Sequence, residues 1–230
     1  YQYHSSGGGV GNVKQIAAGN IIETYEYDSY GRLDSVMMSG VGTGSYSYKY
    51  TFDSYGNTTN IRYPGGLTVN QAYRNGYLEE IKTATGDAIW KASSMNSSGM
   101  VTESIYGTNV SQLNSFDKYG FPTSIKTTAL GSLVQQFDYG FDVAKGNLSW
   151  RRDVKHGLTE SFGYDGLNRL TSSTPSNTGI ASNYTFVENG NITTKSGIGE
   201  YEYTNTANVY ALTGVTGELA TIQPEAQGIT

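Results

Sequence analysis

The sequence predicts an all-β protein built of tandem β-hairpins, and three observations carry that prediction. Runs in which aromatic and polar residues alternate recur along the chain, the plainest being Tyr46-Ser47-Tyr48-Lys49-Tyr50-Thr51-Phe52. Alternation with period two places one set of side chains on one face of a strand. Each run meets a short segment rich in Asp, Gly and Asn, such as Asp28-Ser29-Tyr30-Gly31, which has the composition of a chain reversal. No stretch carries the period of an amphipathic helix, and the 20 Tyr and 30 Gly favour strands and turns over helices.

The unit is clearest at Tyr25-Glu26-Tyr27-Asp28-Ser29-Tyr30-Gly31-Arg32-Leu33-Asp34-Ser35-Val36. Tyr25 and Tyr27 are two apart and share a face. The Asp28 carboxylate can accept N–H groups just ahead of it and start a turn, and Gly31 stands where a left-handed residue closes one. Leu33 opens the return strand and Val36 supplies β-branched bulk further along it.

Marked by the residue equivalent to Gly31, the unit recurs at Gly11, Gly31, Gly56, Gly76, Gly99, Gly120, Gly146, Asn168, Gly190 and Asn208, at spacings of 18 to 26 residues. Asn is the residue that next best tolerates the left-handed region, so its place in this series fits a turn. Asn75-Gly76 suits a two-residue hairpin loop. Met95-Asn96-Ser97-Ser98-Gly99 is a worn copy, and Tyr63-Pro64-Gly65-Gly66 reads as a turn at the opposite end of a hairpin. Residues 1–216 thus form one array of about ten degenerate units, with 217–230 as a tail or capping segment. A β-propeller is the competing fold, but its blades take about 40–45 residues each.

Composition narrows the function. Net charge is −5 without a basic run, which disfavours a nucleic-acid surface. There are no cysteines, so disulfides and thiolate chemistry are excluded, and no apolar stretch reaches the roughly 20 residues of a membrane-spanning helix.

The unit resembles the RHS/YD repeat, an aromatic-x-Tyr-Asp, two variable residues, then Gly-Arg-Leu and an aliphatic. Tyr25-x-Tyr27-Asp28-x-x-Gly31-Arg32-Leu33 matches it fully, and Phe162-x-Tyr164-Asp165-x-x-Asn168-Arg169-Leu170 matches with Asn for Gly. The resemblance implies a continuous, curved antiparallel sheet of hairpins wound as a spiral strip or partial shell. In bacterial members such shells enclose a C-terminal toxin; in animal teneurins they serve as extracellular adhesion scaffolds. The residues present include no Asp-Pro-x-Gly core and no toxin domain, so self-cleavage is not carried over. The expectation is a non-enzymatic scaffold, extracellular or at the cell surface, with a protein partner or enclosed polypeptide. Its open sheet edges would invite self-association.

The candidate residues fall in two groups. Asp28, Gly31, Asp53, Gly56, Gly76, Asp117, Gly120, Gly146, Asp165, Asn168 and Gly190 are read as repeat turns. As spaced carboxylates the aspartates could also suggest acid catalysis or calcium, but equivalent positions in successive hairpins do not converge, so no catalytic, metal or cofactor site is assigned. Tyr46, Tyr48, Tyr50, Trp90 and Trp150 are candidate sugar-stacking residues, which gives the alternative reading of a carbohydrate-binding module. The competing role for these rings is cross-strand packing. His4 and His156 are read as surface or packing residues, Gly40-Val41-Gly42-Thr43-Gly44 as a flexible inter-repeat loop, and Arg32 and Arg169 as partners for the Asp of an adjacent repeat.

Overall fold

The computed structural model describes residues 1–42 and 44–217. Among these residues there are twenty strands and no α-helix. The chain divides into two compact units, Tyr1–Gln112 and Leu113–Thr230. The tail expected at 217–230 lies, apart from Gly217, outside the described residues.

The first unit contains β1 (Gln2–Tyr3), β2 (Val13–Ala18), β3 (Ile21–Tyr27), β4 (Leu33–Val41), β5 (Gly44–Phe52), β6 (Thr58–Arg62), β7 (Thr68–Arg74), β8 (Tyr77–Thr83), β9 (Ala88–Met95) and β10 (Val101–Tyr106). Strand β11 (Val110–Phe116) spans the division. The second unit holds β12 (Pro122–Ala129), β13 (Ser132–Asp142), β14 (Asn147–Asp153), β15 (Leu158–Tyr164), β16 (Leu170–Pro175), β17 (Ser182–Phe186), β18 (Ile192–Lys195), β19 (Gly199–Glu202) and β20 (Gly214–Thr216). In each unit every strand runs antiparallel to its neighbour in sequence, from β1 to β10 and from β12 to β20. One repeat is therefore two strands, and its Asp-type reversals fall along one edge of the meander, with the connections between repeats along the other.

Directly paired residues share a face. In the first unit Tyr25 pairs with Val36 and Val36 with Tyr48; Tyr50 pairs with Ile61, and Ile61 with Val69. The opposite face carries Glu26, Ser35, Lys49 and Arg62 in one row. In this unit the sheet is thus aromatic along one side and polar along this row of the other. Hydrophobic burial is slight: Val69, at 7% exposure, is the one buried hydrophobic residue among those described. Stability rests on the main-chain ladder and on side-chain pairs along it, rather than on a core.

A bulge recurs behind the reversals within repeats, whether or not an Asp opens them. Tyr25 faces Val36 but Tyr27 faces Leu33, leaving Asp34 as the extra residue. Equivalent shifts leave Lys14, Thr59, Glu79, Ser149, Thr171 and Thr193 unpaired. The bulge explains the spacing of Leu33 and Val36. Three residues apart, they would occupy opposite faces of a regular strand; with one residue extruded, both face the tyrosines.

Two expectations change here. Gly40 and Val41 belong to β4 and Gly44 to β5, with Val41 paired to Gly44, so the glycine run is mostly strand; Thr43 lies outside the described residues. Gly40 serves close approach: it has φ 86°, and a Cβ there would overlap the Asn20 carbonyl. The last repeat marker, Asn208, does not take a positive φ, because the chain between Glu202 and Gly214 makes a longer reversal held by Thr204, Asn205 and Thr213.

Candidate functional site

The Asp-type reversals form a closed five-residue turn. In Asp28–Arg32 the Asp28 N–H donates to the Arg32 carbonyl at 2.8 Å and the Gly31 N–H to the Asp28 carbonyl at 3.0 Å. One carboxylate oxygen of Asp28 accepts the N–H groups of Tyr30 at 2.9 Å and Arg32 at 3.0 Å. The same pattern holds at Asp53, Asn96, Asp117 and Asp165. Gly31, Gly56, Gly120 and Asn168 occupy its fourth position with φ of 79°, 89°, 90° and 61°. Gly76 closes a two-residue loop, Gly146 follows Asp142 in a longer reversal, and Gly190 sits in a five-residue turn opened by Val187 rather than Asp. The turn is not confined to this edge: Thr83–Asp87 and Tyr63–Leu67 repeat its main-chain bonds on the other.

Hydrogen bonding holds several of these carboxylates below the usual aspartate range. At Asp28, burial pulls the value up and is the largest single influence, but the Arg32 main-chain and guanidinium N–H groups with that of Tyr30 outweigh it. At Asp53 the Asn57 carboxamide is the main cause, and at Asp165 the Arg169 main-chain N–H.

Two side chains of each full copy reach beyond their own repeat. The Tyr27 hydroxyl donates backward to the Val13 carbonyl at 3.1 Å, and the Tyr164 hydroxyl to the Leu148 carbonyl at 3.0 Å. Val13 and Leu148 are equivalent, each lying two residues past the preceding turn glycine. The arginines reach forward. Arg32 binds its own Asp28 through Nε and Nη2, both at 2.7 Å, while Nη1 donates to the Asp53 carbonyl at 3.3 Å and the guanidinium lies 4.4 Å from the Phe52 ring centre. Arg169 repeats this with Asp165 at 2.6 Å, the Val187 carbonyl at 3.1 Å and Phe186 at 4.7 Å. The arginines thus pair with the Asp of their own repeat, not of an adjacent one; what they take from the next repeat is a main-chain carbonyl and an aromatic face. Tyr behind and Arg ahead make each full copy a clamp between three successive hairpins. The sequence shows the residues but not the direction of their reach. Weaker copies lose parts of the clamp: Asn57 keeps the bond to Asp53, and Asn191 the forward bond to the Val209 carbonyl at 2.7 Å.

The carboxylates at Asp28, Asp53, Asp117, Asp142 and Asp165 each sit at a separate reversal, and among the described residues no cluster of His, Asp and Glu has the grouping to hold a metal ion. His4 packs edge-on against Tyr27 and its Nε2 lies 2.8 Å from the Tyr25 carbonyl; His156 lies 2.7 Å from Asp153.

The sugar-stacking candidates are not brought together. Tyr46, Tyr48 and Tyr50 line one strand on the aromatic face of the first unit, with Tyr48 edge-on to Tyr63 at 5.7 Å. Trp90 shares that face four strands away, through pairing with Ile81. Trp150 belongs to the second unit, on the face opposite its aromatic row Phe137, Tyr139 and Phe141, where it pairs with Gly140 and Ser161. The aromatic face of the second unit is interrupted by an ion pair, Arg151–Glu160 at 2.8 Å, beside a shallow cavity of about 330 Å³ that Phe137, Asp153, Leu158 and Pro175 also line.

The chain is, by architecture, an antiparallel hairpin-repeat protein. No protein-family profile matches its sequence, and neither does any curated protein. Solved structures do. A Photorhabdus luminescens Tc holotoxin pore matches over 81% of this chain and 11% of its own, with TM-score 0.63 and 17% identity. The TcdB2–TccC3 structure matches over 80% and 12%, at 0.63 and 18%. The same pair without its hypervariable C-terminal region matches over 87% and 13%, at 0.61 and 14%. The chain therefore has the fold of an RHS/YD-repeat segment, as its motif implied, and spans about an eighth of the length of these toxin chains.

Proposed function

We propose that this chain is a non-enzymatic wall segment, part of a shell or scaffold that encloses or presents a polypeptide at or outside the cell envelope. The observation that carries the reading is the clamp: Tyr27 with Arg32, and Tyr164 with Arg169, commit their polar groups to their own turn and to the neighbouring hairpins. A sheet whose described residues bury a single hydrophobic side chain fits a wall better than a self-contained globule. The likeness in fold to Tc toxin structures, one of them solved without its hypervariable C-terminal region, supports a toxin-like polypeptide as the partner.

The test is native proteolysis of the array expressed with its natural flanking sequence. The expected result is a protected polypeptide that co-purifies with the array and becomes cleavable when Arg32→Ala and Arg169→Ala loosen the wall. A flanking polypeptide digested as fast beside the intact array as when freed from it would overturn the reading.

One observation favours a second reading: Tyr46 and Tyr48 are 45% and 38% exposed on the same strand face. Saturable quenching of tyrosine fluorescence by cell-wall glycans, abolished in a Tyr46→Ala/Tyr48→Ala/Tyr50→Ala variant, would establish carbohydrate binding.

A further inference from the structure

The chain contains two Asn-Gly pairs, Asn75-Gly76 and Asn189-Gly190, and both are exposed. Asn-Gly is the pair most open to loss of the side-chain amide, because glycine leaves its main-chain nitrogen unhindered toward the preceding carboxamide carbon. By sequence the two sites are equivalent. The fold separates them.

Asn189-Gly190 is tied down twice. The Gly190 N–H donates to the Val187 carbonyl at 3.0 Å, and the Asn189 carboxamide oxygen accepts the Asn191 N–H at 3.0 Å. The nitrogen that must attack and the carbon it must reach are both fixed by the turn. Asn75-Gly76 is the whole loop of the β7–β8 hairpin, which Arg74 and Tyr77 close as a pair, with both loop residues at positive φ, 53° and 82°. Among the described residues neither the Asn75 carboxamide nor the Gly76 N–H has a hydrogen-bond partner. Nothing has to be broken there except the local turn conformation.

We propose that Asn75 is a site of spontaneous deamidation and isoaspartate formation in the folded protein, and that Asn189 is protected. The Gly76 nitrogen gives up its proton to a solvent base and forms a bond to Cγ of Asn75. The Cγ–Nδ2 bond breaks and the side-chain nitrogen, taking a proton back from the solvent acid, leaves as ammonia. Water then opens the cyclic imide at either carbonyl, giving aspartate or isoaspartate with no change of oxidation state. The product adds a negative charge one residue from Arg74, which is paired with Glu79 at 3.0 Å. The isoaspartyl form also lengthens a two-residue loop by one main-chain atom, so the modified hairpin loses its closing geometry.

The test is incubation of the 230-residue chain at mildly alkaline pH, followed by peptide mapping by mass and isoaspartyl methyltransferase labelling, with a parallel sample in urea. In urea both sites should convert at similar rates. In the folded chain Asn75 should convert about tenfold faster than Asn189, since two hydrogen bonds guard the latter. Asn75→Gln should remove the dominant labelled peptide and leave the Asn189 peptide unchanged. Equal folded-state rates, faster conversion at Asn189, or an unmodified Asn75 after the urea sample has fully converted would overturn the proposal.

Discussion

Replacing Tyr27 by Phe removes one oxygen atom and tests the backward half of the clamp. The ring stays in place on the aromatic face, opposite Leu33 and edge-on to His4. What is lost is the 3.1 Å bond from the hydroxyl to the Val13 carbonyl. A net hydrogen bond of this kind contributes about 1 kcal/mol, so the hairpin junction at β2 and β3 should open roughly fivefold more often. In a repeat array the cost should stay near the broken contact, because each hairpin touches only its neighbours. Hydrogen exchange read peptide by peptide is the right assay: amides across Val13–Ala18 and Ile21–Tyr27 should exchange faster, and those of the second unit should not change. Tyr164→Phe, which frees the Leu148 carbonyl, should give the mirror result in β14 and β15. The two sites share no partner, so the double variant should show the sum of both local effects. Unaltered exchange around β2, or acceleration spread evenly over the chain, would refute the clamp as the source of inter-repeat coupling.

Three further outcomes follow from the same geometry. Asp28, Asp53 and Asp165 have folded values below the ordinary aspartate range, so their contribution to stability is complete above pH of about 4 and is lost as pH falls through the depressed values. A denaturation midpoint measured against pH should drop below about 4, and Asp28→Asn with Asp165→Asn should flatten that drop; a profile unchanged by both substitutions contradicts the carboxylate turns. Gly140→Ala would drive a Cβ into the Trp150 indole, so in a Trp90→Phe background the emission should shift to the red and stability should fall by about 1–3 kcal/mol, with constant emission counting against the close approach. Deleting the bulge residue Asp34 should destabilise the β3–β4 hairpin far more than Asp34→Ala, because deletion turns either Leu33 or Val36 away from the tyrosines; equal effects in thermal unfolding would show that the bulge is not needed.

Much of this protein is local, and local structure is what a sequence states. Tyr25, Tyr27, Asp28 and Gly31 are chosen by a period-two face, by a carboxylate within reach of N–H groups two and four residues on, and by a left-handed closing position, all within one short segment. Repetition then made the hairpin array legible even where Met95 or Asn168 stands in for the usual residue. Tertiary structure decided what depends on partners distant in the chain. The reach of Tyr27 to Val13 and of Arg32 to Asp53 spans 14 and 21 residues, and only the stacking of hairpins brings those carbonyls near. The same holds for Trp150, whose neighbour in sequence gives no sign that it faces away from Phe137, Tyr139 and Phe141. The three-residue step from Leu33 to Val36 was visible throughout, yet its meaning as a bulge appears only once both are seen opposite tyrosines two apart. Asp34 has no ladder partner on β3, and its extrusion is what lets Leu33 and Val36 share the apolar face of β4.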